Sequence, residues 1–377
     1  MGIINDFFGA MLNMIFEGVV AISPTASLGI TIVLFTLVTR LLLTPLQLSS
    51  QRTSRGMSKI QPEMQRIQNK YKNKKDQESQ LQQSAEMKSL YKKYKINPLA
   101  GCLPLLIQMP LIFALFNVLR EPAIYITKLQ EQYTKIANDI IVNVSDAPQL
   151  LEGFKKAITT STRHDYNLSK IDDLWKFLSH LNSGQWKEFL SKMSVEAQAI
   201  LAPTLKTKEQ FEMFLGVNLV DTPALLIKGG VWLAILVPII AGASTYIFSK
   251  ITMASSAAMQ QPAVNADGTV KASSTESMMK TMNIMMPVMT AIFSYTMPIG
   301  LAVYWIAGNI IMMGQQWFVN KIVMKQEAKL DEQHRKEREE EAKEKKMVKK
   351  KVIKKVPVQK KTTVENENVN IQNENNK

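Results

Sequence analysis

Residues 28–48 read LGITIVLFTLVTRLLLTPLQL and carry a single charge, Arg40. A helix rises 1.5 Å per residue, so about 20 mainly apolar residues cover the roughly 30 Å of a bilayer's hydrocarbon. The stretch therefore reads as a membrane span with a cation inside it. A charge at bilayer depth costs roughly 3 kcal/mol on insertion scales and normally faces a partner or a water-filled cavity. None of the other apolar cores contains Asp or Glu, so no intramembrane carboxylate answers Arg40. Two readings stay open. Arg40 lies six residues from the span's end at Leu46, close enough for a long side chain to snorkel to the headgroups. Alternatively it lines a wet concavity, with Thr36 one turn earlier as a polar companion on the same face.

Four further apolar stretches follow. Uncharged runs of 24, 21 and 40 residues lie between Lys95 and Arg120, Lys228 and Lys250, and Lys280 and Lys321. The last is about twice a bilayer in length and must fold back, and Pro298 with Gly300 supplies the break. The expected fold is an all-α integral membrane protein with transmembrane helices at 23–46, 99–120, 229–249, 281–297 and 300–320. The mean hydropathy of −0.05 hides this, because the spans alternate with basic segments.

The charge balance sets the orientation. Residues 41–98 hold 12 Lys/Arg against 4 Asp/Glu, the tail 321–377 holds 17 against 11, and 121–228 holds 12 against 13. By the positive-inside rule the first two segments are cytoplasmic and the third is external, so five spans run N-out to C-in.

Within that frame, residues 1–22 read as an interfacial amphipathic helix or as an uncleaved extension of the first span. In 47–98, Met57, Ile60, Met64, Ile67 and Tyr71 mark one helix face, and Leu81, Met87, Leu90, Tyr91 and Tyr94 outline a second helix. Together they form a cytoplasmic helical hairpin. Residues 121–228 carry helical patterns such as Leu174, Phe177, Leu178 and Leu181, which predict an external, mostly helical cap. Residues 250–280 read as a flexible cytoplasmic loop, and 321–377 as a helix that frays into a disordered basic tail.

Catalytic chemistry finds little support. Cys102 is the sole cysteine, and His164, His180 and His334 are too dispersed to hold a metal. Metalloprotease, nucleophile-elbow and phosphate-loop motifs are missing. No enzyme activity, metal or cofactor is expected. The spans do carry polar groups: Gln108 between Pro104 and Pro110, and a stripe of Trp305, Asn309, Met312 and Gln316 on the last. Singly, such groups usually make interhelical hydrogen bonds worth about 1 kcal/mol; together with Arg40 they could line one concavity. Met278, Met279, Met282, Met285, Met286, Met289 and Met297 crowd the short fourth span, which is either ordinary filling or an adaptable apolar surface.

The stretches ITIVLFTLVTRLLLTPLQLSSQ, INPLAGCLPLLIQMPLIFALF and MNIMMPVMTAIFSYTMPIGLAVYWIAGNIIMMGQQ, in this order around a basic hairpin, resemble the YidC/Oxa/Alb family of membrane protein insertases. The resemblance covers about half the chain. It implies a five-helix core with a groove open to lipid and cytoplasm and closed outside, and insertion of nascent membrane proteins without an energy-consuming site. Arg40 matches the family's groove arginine, and Thr36, Gln108, Met109, Tyr304 and Trp305 fall within the matching stretches. With Asn309 and Gln316 they are the candidate groove and client-binding residues. The large outer-face domain of Gram-negative members is absent, and 121–228 is longer than the family pattern leads one to expect.

The resemblance also implies a bacterial cell membrane location and contact with lipids. Its candidate partners are nascent client chains, a ribosome bound through the basic tail, and a Sec-type translocation channel. Two other classes compete. A polytopic transporter more often shows inverted repeats or intramembrane acids. A ribosome- or RNA-tethering anchor explains the tail but leaves Arg40 without a purpose.

Overall fold

Large apolar side chains cover the outside of several helices in this protein. The structure, a computed structural model, describes residues 2–71, 74, 76–94, 110, 113–114, 116–257 and 274–355. α1 (Gly2–Ile22) turns back into α2 (Ser27–Leu42) at Ala26, whose φ of 60° is left-handed. α3 (Thr44–Tyr71) continues α2 after a bend of 52°. Pro45 explains the break, because it brings no N–H to the carbonyl of Leu41 and the helical ladder loses a rung. α4 (Gln77–Lys93) pairs with α3, with Ile60, Tyr71 and Leu90 buried between them. Lys70 and Tyr71 both donate to Glu86 Oε1, Tyr71 at 3.0 Å. Leu81, one of the residues outlining the second helix in the sequence, points away from this pairing and is 66 % exposed.

The next elements form a helical segment with its own core. They are α5 (Pro122–Tyr125), α6 (Thr127–Asn143), α7 (Ala147–Thr162), α8 (Ile171–Ser179), α9 (Ser183–Ser191) and α10 (Val195–Glu212). Tyr133, Ile136, Ile140, Phe177, Leu178, Phe189 and Leu201 are fully buried here. Each large apolar side chain so removed from water contributes about 1.5–3 kcal/mol. Helix starts are marked locally. Asn182 and Gln185 form a reciprocal capping box on α9, and Ser194 caps α10. A two-stranded antiparallel hairpin follows, β1 (Met213–Phe214) with β2 (Val217–Asn218), turning through Leu215 and Gly216. The sequence predicted a mostly helical segment, and these strands are too short for any alternation to reveal them.

This segment is fastened to the apolar helices. The N–H of Ala26 donates to the Gln210 carbonyl, and Phe16 meets Phe211 edge-on at 5.5 Å. After α11 (Pro223–Lys228) and a 3-10 turn (Trp232–Ile235), the chain enters α12 (Leu236–Ala257), then α13 (Ser274–Thr296) and α14 (Ile299–Lys355). The break predicted at Pro298 and Gly300 separates α13 from α14. Two of the N–H groups orphaned at the start of α14 are satisfied by the helical segment: Ile299 donates to the Asp221 carbonyl and Gly300 to that of Leu219. The predicted loop 250–280 is helical at both described ends, up to Ala257 and from Ser274, and its remainder lies outside the described residues. The Ala, Ser and Met content of those ends suits a helix better than a turn.

Among the described residues, Gly2–Ile22 and Trp232–Thr252 are each long and apolar enough to cross a bilayer, and the bent pair α2–α3 makes a third candidate. α13 and α14 carry more polar residues, several of which point inward. Ser294, Asn309 and Gln316 are buried, whereas Ile284, Val288, Ile292, Ile310 and Phe318 are exposed. Soluble proteins rarely expose contiguous apolar surface on this scale. Lipid is the solvent that accounts for it, and the chain is a membrane protein.

The chain divides into two units, Met1–Val323 and Met324–Lys377. In the second, the described residues continue as helix to Lys355, with ion pairs Glu332–Lys336 and Arg335–Glu339 at helical spacing.

Candidate functional site around Arg40

α2 carries a run of hydroxyls on one face. The Thr36 hydroxyl donates to the Ile32 carbonyl at 2.6 Å, and that of Thr39 to the Phe35 and Thr36 carbonyls, both at 2.9 Å. Each hydroxyl is thereby satisfied within its own helix, and both residues are buried against neighbours. One turn beyond Thr36 on the same face is Arg40. Its guanidinium carbon stands 6.0 Å from the centroid of the Tyr304 ring on α14, at the outer limit of a cation–π contact. Beside Tyr304, one turn along, Gly308 leaves the room that the guanidinium fills. A Cβ there would lie 3.2 Å from Nη2 of Arg40 and 3.6 Å from Cγ2 of Thr36.

Among the described residues Arg40 has no ion pair, and its Nε is buried without a hydrogen-bond acceptor. A buried N–H of a charged group left unsatisfied costs on the order of 1–3 kcal/mol or more. The arrangement holds a positive charge next to an aromatic face and a glycine, with donor capacity to spare. It can attract an acceptor-bearing or anionic group, and it offers neither a nucleophile nor a proton-transfer pair.

The backbone of Arg40 is anchored separately. Its carbonyl accepts from Thr44 Oγ1 at 3.1 Å and from Gln315 Nε2 at 2.9 Å, and Gln315 Nε2 also reaches Thr44 Oγ1 at 2.6 Å. A glutamine of α14 thus fills the gap that the α2–α3 bend leaves in the helical ladder.

The other residues singled out in the sequence spread over different neighbours. Thr36 and Tyr304 join Arg40. Trp305 is half-buried and packs against the apolar core. Asn309 turns to α12, donating to Ser244 Oγ at 3.0 Å and Thr245 Oγ1 at 2.9 Å. Gln316 is buried lower on α14 and donates to Asn320 Oδ1 at 3.2 Å. Gln108 and Met109 lie outside the described residues. The stripe of Trp305, Asn309, Met312 and Gln316 is therefore not one lining, since Asn309 bonds to α12 and Gln316 bonds within α14, whereas Tyr304, Gly308 and Gln315 form the α14 face toward Arg40.

Gly308 and Gln315 were not foreseen. The i, i+4 step from Tyr304 to Gly308, and the second glutamine beside Gln316, were the available signals.

Residues 20–327 match the sequence profile of the 60Kd inner membrane protein family. The chain belongs to that family. It is 28 % identical over 306 residues to the membrane protein insertase YidC of Clostridium perfringens, covering 81 % of this chain and 84 % of that protein. It is 27 % identical over 330 residues to the membrane protein insertase YidC 1 of Bacillus anthracis, covering 87 % of this chain and 86 % of that one. A shorter stretch of 97 residues is 42 % identical to the membrane protein insertase MisCA of Bacillus subtilis, covering 26 % of this chain and 37 % of that protein. The matched range, 20–327, encloses the helical segment between Arg120 and Val231.

Proposed function

We propose that this protein inserts nascent membrane proteins into the bacterial cell membrane. In this reading five spans, N-out and C-in, surround a hydrated groove in which Arg40 attracts the polar segment of an incoming client. The carrying observation is Arg40 itself: a cation on an apolar helix, without an ion pair among the described residues and with a buried, unsatisfied Nε. A client's outgoing segment, often acidic, would offset with this charge part of its cost of leaving bulk water. Its apolar span would meanwhile pass to lipid along the Met-rich helix α13, whose Met285, Met286 and Met289 are exposed. The external segment would close the outer end, a role supported by its hydrogen bonds to the first residues of α14. Gln108 and Met109 would contribute from the second span, and Trp305, Asn309 and Gln316 from the last.

The basic tail would dock on ribosomal RNA through its lysines, with a steep salt dependence because bound counterions are released. Docking against a Sec-type channel is compatible with the exposed apolar faces. Among the described residues Arg40 has no acid partner of the kind a coupled carrier uses, which supports insertion over transport.

The test is insertion of a small client by the purified protein in proteoliposomes. Arg40→Lys should keep much of the activity and Arg40→Ala should lose it, most for clients with acidic leading tails. Neutralising the tail's acids should restore insertion by Arg40→Ala. Equal insertion of acidic and neutral tails by the alanine variant would falsify the electrostatic role.

A further inference from the structure

A second polar cluster joins α3 to α14 about three turns beyond Arg40 along the α2–α3 pair. Asn320 Oδ1 on α14 accepts from three donors: Gln51 Nε2 at 3.1 Å, Arg55 Nη2 at 3.0 Å and Gln316 Nε2 at 3.2 Å. Gln51 and Arg55 are one turn apart on α3, and Gln316 and Asn320 are one turn apart on α14, so two helix faces meet through side-chain amides and a guanidinium. Gln51 is 9 % exposed, Arg55 4 % and Gln316 1 %, while Asn320 itself is half-buried, so the layer sits at the edge of the packed interface. With the Gln315–Thr44–Arg40 bonds five residues earlier on α14, it gives α3 two fixed points on the last span.

The chemistry of the layer makes it selective in register and weak in hold. An amide oxygen has two lone pairs, and here three donors compete for them. The acceptor is neutral, so only the bond from the Arg55 guanidinium is charge-assisted and the two amide donors make ordinary hydrogen bonds. Polar layers of this kind specify how helices pair, yet they separate more readily than apolar ones, because water can replace each bond once the layer opens. The hairpin is also strongly basic, so a client approaching from the cytoplasm meets α3 before it can reach Arg40.

We infer that Asn320 is a positioning residue: it clasps the base of the cytoplasmic hairpin to the last span, and the clasp must open for a client to enter. The inference rests on the insertase reading. In the closed state α3 is held on α14, and the bend at Leu43 keeps Arg40 against Tyr304 and Gly308. In the open state α3 swings about that bend, which Gln315 still holds, and the route to Arg40 is cleared.

Two measurements on the full-length protein test it. In a Cys102→Ser background, Gln51→Cys and Asn320→Cys are bridged by a short bis-methanethiosulfonate reagent, and client insertion is followed in proteoliposomes. The bridged protein should insert at least 10-fold less than the same protein before bridging, and dithiothreitol should restore the rate. Bridged protein that inserts at the unbridged rate overturns the clasp. Separately, amide hydrogen exchange without any client reads the hold itself. Asn320→Leu should speed exchange at residues 47–58 about 10-fold or more relative to wild type, and Asn320→Asp should slow it. Unchanged exchange in both variants also overturns the proposal. If wild type and unbridged protein alike fail to insert, the insertase reading is what fails, and the exchange result still decides whether Asn320 holds the hairpin.

Discussion

Gly308 faces the guanidinium of Arg40 so closely that a Cβ on the glycine would lie 3.2 Å from Nη2. The small residue and the large one are fitted to each other across two helices. A side chain at 308 would displace the charge rather than remove it. Gly308→Ala should be mild, because the far end of an arginine can shift by a few tenths of an ångström. Gly308→Leu should reduce insertion of acid-tailed clients by about 10-fold, with a smaller change for neutral-tailed ones. Client insertion in proteoliposomes, alongside thermal unfolding to show that the fold survives, checks this.

A closer approach occurs at the N-terminal end of α2. A Cβ on Gly29 would fall 2.2 Å from ring atoms of Phe214 at the β-hairpin. Gly29→Val should force the hairpin off α2 and destabilise the protein by about 1–3 kcal/mol, the usual cost of overpacking. Adding Phe214→Ala should recover part of that loss, since it removes the ring that collides. Thermal unfolding of the two variants and their combination measures the coupling, and simple additivity would contradict the contact.

The helical character of the apolar stretches was legible in the sequence because it rests on local patterns. Charge-free length marks an apolar helix, Pro298 with Gly300 marks the break before α14, and the 3–4 spacing of Ile60, Met64, Ile67 and Tyr71 marks one helix face. Arg40 stood out for the same reason, as a lone charge in such a run. The contacts that position it were not legible. Gln315, Gly308 and Asn320 act across more than 260 positions in sequence, and only the tertiary arrangement tells which residue of a polar pair faces inward. Gln316 and Asn309 were visible as polar residues in an apolar helix, but their partners Asn320, Ser244 and Thr245 were not. The short strands 213–214 and 217–218 carry too few residues for any period to register.

The helical segment hides one ion pair whose loss should be costly. Lys208 Nζ and Glu212 Oε2 are 2.8 Å apart with both side chains almost wholly buried. Tyr133 and Asn218 also donate to Glu212. Glu212→Ala strands a buried ammonium and two donors at once and should destabilise by about 3–5 kcal/mol. Glu212→Gln retains an acceptor and should cost less. Denaturation of the detergent-solubilised variants gives both values, and an alanine variant as stable as wild type would show that water reaches Lys208.

Orientation is open to direct labelling in a Cys102→Ser background. A Cβ on Gly153 meets nothing within 4 Å, so Gly153→Cys should react with an impermeant thiol reagent added outside intact cells. Gln82→Cys in the hairpin and Glu340→Cys in the tail, both at exposed positions, should react only after the membrane is opened. Outside labelling at position 82 would reverse the proposed topology.

His180 gives the helical segment a pH dependence of definite sign. The imidazole is half-buried at the end of α8, beside Tyr166. Burial, then the charge of Arg120 and of His164, lowers its pKa from 6.5 to about 4. The folded state therefore refuses a proton that the unfolded chain accepts between those values. Stability contributed by the neutral ring is fully present above about pH 6.5, declines as the pH falls, and is gone below about pH 4. Allowing for the ring's partial exposure, the loss is about 1–3 kcal/mol. Asp221 works in the opposite direction. Desolvation raises its pKa despite the hydrogen bond from the Ser183 N–H, so its protonation favours the folded state as the pH falls below the raised value. Comparison with His180→Gln separates the two, because the variant keeps Asp221 and loses only the histidine's contribution. Hydrogen exchange at residues 174–181 should show protection that falls from pH 6.5 to pH 4 in wild type, once corrected for intrinsic exchange rates, and a flatter profile in His180→Gln. Parallel profiles would mean that the folded ring takes up its proton as freely as the unfolded one.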